Sequence, residues 1–136
     1  MKFIRPTHAI ILALVLTVGI AGMLLASAAE GIERTELSWA DLSGVEGVEV
    51  IVSFQRLQPG ARMARHIHYG DETVYVLKGG GLEIPDGKII PVVTGSTSRN
   101  IREVPHGGFM VAGEKYVEVL TIHIVDKGKP LVVVAE

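Results

Sequence analysis

The chain of 136 residues contains no cysteine. Disulfide bonds, zinc sites built from thiolates and cysteine nucleophiles are therefore excluded. Aromatic residues make up only 5% of the chain, with a single tryptophan, so a hydrophobic core must consist mainly of aliphatic side chains. The length is typical of one domain. With 48% hydrophobic and 21% charged residues, the composition is that of a folded chain and not of a disordered one.

Acidic residues are missing before Glu30, and this part of the chain has the pattern of an export signal. Two basic residues precede an apolar run at 9–26, and Ala26-Ser27-Ala28 fits the small-residue pattern that signal peptidase cleaves. We therefore predict that residues 1–28 are a signal peptide with a hydrophobic helix, and that the protein is exported to the periplasm or the extracellular space. The alternative is an uncleaved N-terminal membrane anchor, because the run is about long enough to span a bilayer.

The chain also lacks any cluster of basic residues. Its net charge is −2, and removal of the leader lowers this to about −4 because Lys2 and Arg5 are lost. We therefore predict no nucleic-acid partner. Contact with a membrane is predicted only if the leader stays attached.

The remainder, residues 29–136, has the alternation of short apolar stretches and turn-forming residues that is typical of an all-β domain. Short stretches rich in Val and Ile are separated by Gly, Pro, Asp and Asn, and no convincing helical period of apolar residues follows residue 40. Many short strands at even spacing predict a sandwich or a barrel. The predicted strands are 48–54, 73–77, 82–84, 88–90, 117–125 and 131–134, with turns at 58–60, 85–87 and 126–130.

Two histidines lie one residue apart within GARMARHIHYGDETVYVLKG, residues 60–79. Alternate side chains of a strand share a face, so His66 and His68 aim their rings at one point. Glu72 follows a Tyr-Gly-Asp bend and can face the same point. Imidazole and carboxylate together suit Fe, Mn, Ni, Cu or Zn, so one interpretation is a metal site. The other interpretation is that the two histidines lie on a solvent-exposed strand edge and that Glu72 is an exposed surface residue.

The same stretch resembles the first motif of the cupin superfamily. That motif is Gly, five residues, His-x-His, three or four residues, Glu, six residues, Gly. Every fixed position is filled at an allowed spacing, by Gly60, His66, His68, Glu72 and Gly79.

The second cupin motif is matched less well. It is Gly, five residues, Pro-x-Gly, two residues, His, three residues, Asn, and counting from Gly95 places His106 at the histidine. The motif's proline, glycine and asparagine are replaced by Ile101, Glu103 and Met110. The resemblance to small single-domain bacterial cupins (cupin type-2 conserved barrels) extends over roughly residues 33–132.

The resemblance implies a jelly-roll barrel, or double-stranded β-helix, over residues 29–136. It implies one divalent transition metal ion (Fe, Mn, Zn, Ni or Cu) near the mouth, with one or two positions left open for water, oxygen or substrate. The implied ligands are His66, His68, Glu72 and His106.

Two functions are compatible with such a site. The first is a metal-dependent enzyme, of dioxygenase, isomerase or lyase type, that acts on a small organic molecule. The alternative is a non-catalytic cupin that binds a small ligand or the metal itself. A vestigial site is less attractive because all four ligand positions are filled.

Two further side chains are candidates for the pocket. His123 is in phase with the apolar residues of the 117–125 strand, so it is predicted to face the interior, as a support for a ligand, as a pocket base or as an ordinary buried histidine. Arg56 shares a phase with Phe54, so it either reaches the barrel mouth and holds an anionic substrate or is a surface arginine.

Small cupins commonly form dimers through their sheets, often with an exchanged N-terminal strand. The resemblance therefore implies a homodimer in which residues 33–39 (ERTELSW) are such a strand and Trp39 is a buried anchor. The sequence equally allows this segment to close its own barrel.

Overall fold

The computed structural model describes residues 29–136, and the predicted signal peptide lies outside this range. Every regular element of the described part is a β-strand. The strands are β1 (Ala29–Asp41), β2 (Val48–Met63), β3 (His66–Ile67), β4 (Gly70–Lys78), β5 (Gly80–Glu83), β6 (Ile89–Val92), β7 (Thr97–Asn100), β8 (Phe109–Ala112), β9 (Val117–Asp126) and β10 (Val133–Val134). Between residues 29 and 136 there is no helix of the length and apolar character that a membrane crossing requires.

Eight strands form one curled sheet in the order β6-β5-β8-β2-β9-β4-β7, with β1 paired to β2. The two remaining strands, β3 and β10, pair with each other. All the pairings are antiparallel. The predicted all-β fold is confirmed, and so is the hairpin at 85–87, where Ile84 N–H donates to the Lys88 carbonyl oxygen at 3.0 Å.

The interior of the barrel changes character along its strands. Side chains of β2 and β9 alternate between buried and partly exposed, as expected for strands with one face on a core. At one end the buried row is apolar and forms the core, which consists of Leu57, Ala61, Val76, Val111, Val117 and Val119. Further along the same two strands the buried row is polar, with Ser53, Gln55, Thr121 and His123. The buried Ile51 and Val125 follow on its far side. Because buried polar groups are costly unless they are bonded, this polar stretch is where a site is expected.

The turn predicted at 58–60 is wrong, because β2 runs through it without ending. Ile32 of β1 pairs with Leu57 and Glu30 pairs with Arg62, so residues 58–61 bulge out of the ladder. Gly60, at a φ of 76°, supplies the left-handed backbone that this bulge needs. The bulge bends β2, so that its body pairs with β9 and its end pairs with β8.

The N-terminal segment forms β1 and lies along β2 of its own chain. Trp39 is 51% exposed, and its ring nitrogen donates to Glu49 at 2.8 Å. The buried anchor expected for Trp39 is therefore absent from the single chain. The homodimer stays a prediction.

Candidate metal centre

The four predicted ligands come from three parts of the barrel. His66 lies on β3 and His68 just after it, Glu72 lies on β4, and His106 lies in the segment between β7 and β8. His66 and His106 exchange backbone hydrogen bonds of 2.9 Å in both directions, which fixes the two segments side by side. The register of the sheet places Glu72 between His123 of β9 and Asn100 of β7.

The three predicted histidine ligands are oriented by the backbone. The Nδ1 atoms of His66 and His106 lie 2.8 and 2.9 Å from carbonyl oxygens, and that of His68 also contacts one. A carbonyl oxygen only accepts, so each Nδ1 carries the proton and each neutral ring keeps its Nε2 lone pair for another partner. The accepting oxygens belong to Ala64, Val104 and Leu131.

The Glu72 carboxylate lies at the centre of the polar cluster. Its Oε2 is 3.4 Å from Nε2 of both His68 and His106, and its Oε1 is 3.3 Å from Nε2 of His123. Asn100 donates to Oε2 at 2.6 Å. Burial opposes ionisation, but the imidazole nitrogens of His106, His123 and His68 beside the carboxylate outweigh it and hold the Glu72 pKa well below its usual range. Glu72 is therefore a carboxylate.

The geometry demands positive charge at this point. In His68 and His106, Nδ1–H donates to a carbonyl oxygen, so Nε2 carries a proton for Glu72 only when the ring is cationic. In the neutral ring, the Nε2 lone pair faces the Glu72 carboxylate, which is repulsive. Burial lowers the pKa of His106, but Glu72 and the Val104 carbonyl raise it by more. Burial lowers the pKa of His66. Either imidazolium rings or a metal cation can supply the charge, and imidazole nitrogens with a carboxylate form a donor set that fits a transition metal.

The ligand atoms form two overlapping groups, each with all atoms within 4.8 Å of one another. One consists of His66, His68 and His106, and the other of His68, Glu72 and His123. The structure thus brings the four predicted ligands together around His68 and adds His123, which is 2% exposed and lies inside the barrel as its phase predicts.

The cluster opens into a cavity of about 320 Å³. Part of its wall is polar and includes Arg34, Gln55, Ser98 and Thr121. The rest is apolar, lined mainly by Leu57, Val74, Val76, Leu82, Val92, Phe109, Val117 and Val119. A small molecule with a polar end and an apolar body matches such a wall.

Of the two alternatives for Arg56, the structure confirms the surface arginine and not the residue of the barrel mouth. The Arg56 guanidinium pairs with Glu118 at 2.8 Å and lies over the Tyr116 ring, and it does not line the cavity. The reason is phase, because β2 buries its odd-numbered side chains and Arg56 belongs to the other row. Arg34 does line the cavity but is not among the predicted site residues, because the 33–39 segment is predicted only as a strand, exchanged in a dimer or closing its own barrel.

Two supports of the site carried no readable sequence signal. Asn100 reaches Glu72 only because β7 pairs with β4, and Leu131 accepts from His68 across 63 residues of sequence. Strand β10 also holds β3, through Val133 opposite Ile67. Such contacts depend on strand pairing, which local spacing does not reveal.

Glu103 occupies the position at which the second cupin motif has glycine. The backbone conformation there explains why the motif favours glycine. The φ of Glu103 is 57°, and among residues 29–136 it is the one non-glycine residue with a positive φ. Its N–H donates to the His68 carbonyl oxygen at 3.0 Å. The chain thus keeps the left-handed turn that leads to His106, but builds it with a residue that strains it.

Comparison with solved structures identifies the fold. The polyketide cyclase RemF from Streptomyces resistomycificus has 22% sequence identity and a TM-score of 0.59, over 80% of this chain and 74% of that one. A protein with a double-stranded β-helix domain from Klebsiella pneumoniae has 16% identity and a TM-score of 0.58, over 77% and 84%. A cupin domain from Bordetella pertussis has 22% identity and a TM-score of 0.52, over 69% and 93%.

The chain has the fold of a small cupin. No protein-family model and no curated protein sequence matches it. At these identities the likeness concerns the fold of the cupin barrel alone, so its ligand and its reaction must be inferred from its own residues.

Proposed function

We propose that this cupin binds one divalent transition metal ion (Fe, Mn, Zn, Ni or Cu) through His66, His68, Glu72 and His106. One observation carries the proposal. In His66, His68 and His106, Nδ1–H donates to a backbone carbonyl oxygen, so each Nε2 lone pair is available to a metal ion beside the ionised Glu72. Within the described residues, Nε2 of His68 and of His106 is buried without a hydrogen-bond partner, which supports the same conclusion.

We further propose that the site is catalytic and acts on a small organic molecule, in a dioxygenase, isomerase or lyase type of reaction. When bound, the ion supplies Lewis-acid or oxygen-activating chemistry. The chain itself orients the ligands through the backbone, holds the Glu72 carboxylate with Asn100 and His123, and surrounds the substrate with an apolar wall that displaces water. The alternative is a cupin that binds a small ligand or the metal without turnover.

Metal content tests the proposed centre. The full-length chain, purified without a tag or chelator and reloaded with each of the five metals, should hold close to one ion per chain by mass spectrometry. His66→Ala, His106→Ala and Glu72→Gln should lose it. Glu49→Gln is the matched control, because Glu49 is also buried but bonds Trp39 and does not line the cavity. An unloaded wild type, or equal metal in Glu72→Gln and Glu49→Gln, would refute the centre.

Turnover separates the two functions, since metal binding is common to both. Oxygen uptake that depends on an added organic substrate would identify a dioxygenase. Product formation without oxygen would identify an isomerase or lyase. Stoichiometric binding of ligands with no turnover across a broad panel would favour the binding protein.

We also propose that the protein is exported. The support is the pattern of residues 1–28, which ends in Ala-Ser-Ala. The N-terminal sequence of the protein recovered from the cell envelope tests this directly. A start near residue 29 would establish cleavage, an intact N-terminus in the membrane fraction would establish an anchor, and an intact N-terminus in the cytosol would refute export.

A further inference from the structure

Arg34 is the one arginine among residues 29–136 that lines the cavity. Three of the five other arginines in this range form ion pairs with carboxylates: Arg56 with Glu118, Arg99 with Asp71, and Arg102 with Asp126 and Glu103. Arg34 lines the cavity and has no carboxylate ion partner among residues 29–136. Its hydrogen-bond partner is a neutral hydroxyl, so its positive charge is available to a ligand.

The guanidinium of Arg34 is held in one orientation. Its Nε and Nη2 atoms donate to the Oγ of Ser53 at 3.0 and 2.7 Å, and Ser53 is completely buried behind it. These bonds use the N–H groups on the edge of the guanidinium that is formed by Nε and Nη2. The other edge, formed by Nη1 and Nη2, keeps its N–H donors in the geometry that matches the two oxygens of a carboxylate.

The position of Arg34 suits a ligand that also reaches the metal centre. Ser53 pairs with Thr121, and His123 is two residues further along β9, which is about 7 Å along the strand. Glu72 is close enough to act on the charge of Arg34, and burial lowers the pKa of Arg34 against the influence of Glu36 and Glu72. Arg34 is nevertheless solvent-exposed where it lines the cavity, and its guanidinium has no carboxylate partner among residues 29–136, so an anionic ligand can reach it.

We propose that Arg34, held by Ser53, is an anion subsite that binds the carboxylate of a small organic acid with a largely apolar body. The apolar body would pack on the wall that contains Leu57, Val74 and Val119. Another oxygen-containing group of the ligand, separate from this carboxylate, would point to the histidine–glutamate cluster. The proposal deepens the proposed function and rests on it only for the chemistry at the cluster, because the Arg34 contact itself requires no metal.

The test uses the metal-free full-length protein, benzoate as the probe and benzamide as its neutral isostere. Without metal, a carboxylate cannot be captured by the ion, so the signal reports on the protein alone. Titration calorimetry should show benzoate binding at least roughly tenfold tighter than benzamide, the factor expected for one charge-assisted pair. In NMR spectra, the Nε–H resonance of Arg34, assigned by its loss in Arg34→Lys, should shift with benzoate.

Arg34→Gln should lower benzoate affinity by roughly tenfold or more. Arg34→Lys should lose part of it, because lysine keeps the charge but not the fork. Arg56→Gln is the matched control and should bind as the wild type does. If Arg34→Gln does not fold, Ser53→Ala tests the same subsite by releasing the guanidinium, and benzoate affinity should then fall several-fold.

Equal benzoate affinity in the wild type and the Arg34 variant, or equal binding of benzoate and benzamide, would overturn the subsite. No benzoate binding at all would also overturn it. Metal content of the same preparations after reloading keeps the two proposals apart. If the wild type takes up metal but does not bind benzoate, only the anion subsite is refuted. If it binds benzoate through Arg34 but takes up no metal, only the metal centre is refuted.

Discussion

Replacing Glu103 by glycine should make the protein more stable. Glu103 has a φ of 57°, and the left-handed conformation costs an L-residue about 1–2 kcal/mol, which glycine avoids. Glycine loses about 0.5–1 kcal/mol of this gain through the greater freedom of the unfolded chain. The exposed Arg102–Glu103 pair, at 3.3 Å, is screened by solvent and changes this balance little. The free energy of unfolding should therefore rise by about 0.5 kcal/mol, which corresponds to an increase in Tm on the order of 2–4 °C for a domain of this size.

The assay is urea unfolding of the metal-free protein, followed by circular dichroism, beside Glu46→Gly. Glu46 is exposed in a turn without a positive φ, so the same chemical change should there lower the free energy of unfolding by about 0.5–1 kcal/mol. Opposite signs in the two variants would establish that the backbone at 103 is strained. The reasoning fails if Glu103→Gly is destabilised as much as Glu46→Gly. Metal affinity should survive in Glu103→Gly, because the bond from residue 103 to His68 is made by the backbone N–H.

The remaining predictions concern the supports of the site. Asn100→Ala and His123→Phe each remove a contact of the Glu72 carboxylate and should weaken metal affinity by about 10–100-fold in competition with a chromophoric chelator; unchanged affinity in both would mean that Glu72 needs no such support. Hydrogen bonds from Arg102 hold the Asp126 pKa below its usual range, so this pair stabilises the fold above the usual carboxyl pKa, and the contribution is lost as pH falls through the lowered value. Arg102→Gln should therefore be less stable than the wild type in urea at neutral pH and equally stable in strong acid, and a gap that does not change with pH would contradict this. Light scattering of the full-length protein tests the homodimer, which a monomer at micromolar concentration would refute.

Local spacing predicted the strands and the donor set, and strand pairing accounts for what it missed. The His-x-His pair and Glu72 could be read from the sequence because side-chain alternation and one bend decide their direction. His123 could be placed inside by phase, but its contact with Glu72 depends on β4 lying beside β9. Asn100 has no such cue, because it is the last residue of a four-residue strand whose partner is 28 residues away. The Pro-Gly pair predicts a turn at 58–60, whereas residues 58–61 form a bulge, because the left-handed backbone that glycine allows is common to both.

The inward row of β9 explains why this cavity can hold an acid at one end and an apolar body at the other. Val117 and Val119 are followed in the same row by Thr121 and His123, so the wall turns from apolar to polar within four consecutive inward positions. Arg34 contacts the polar half through Ser53, which pairs with Thr121. A ligand that reversed its orientation would leave its carboxylate among valines, which is costly, and would lose the charge-assisted contact with Arg34. The change from apolar to polar along this strand therefore selects the orientation in which the carboxylate lies at Arg34 and a separate oxygen-containing group of the ligand faces the histidines.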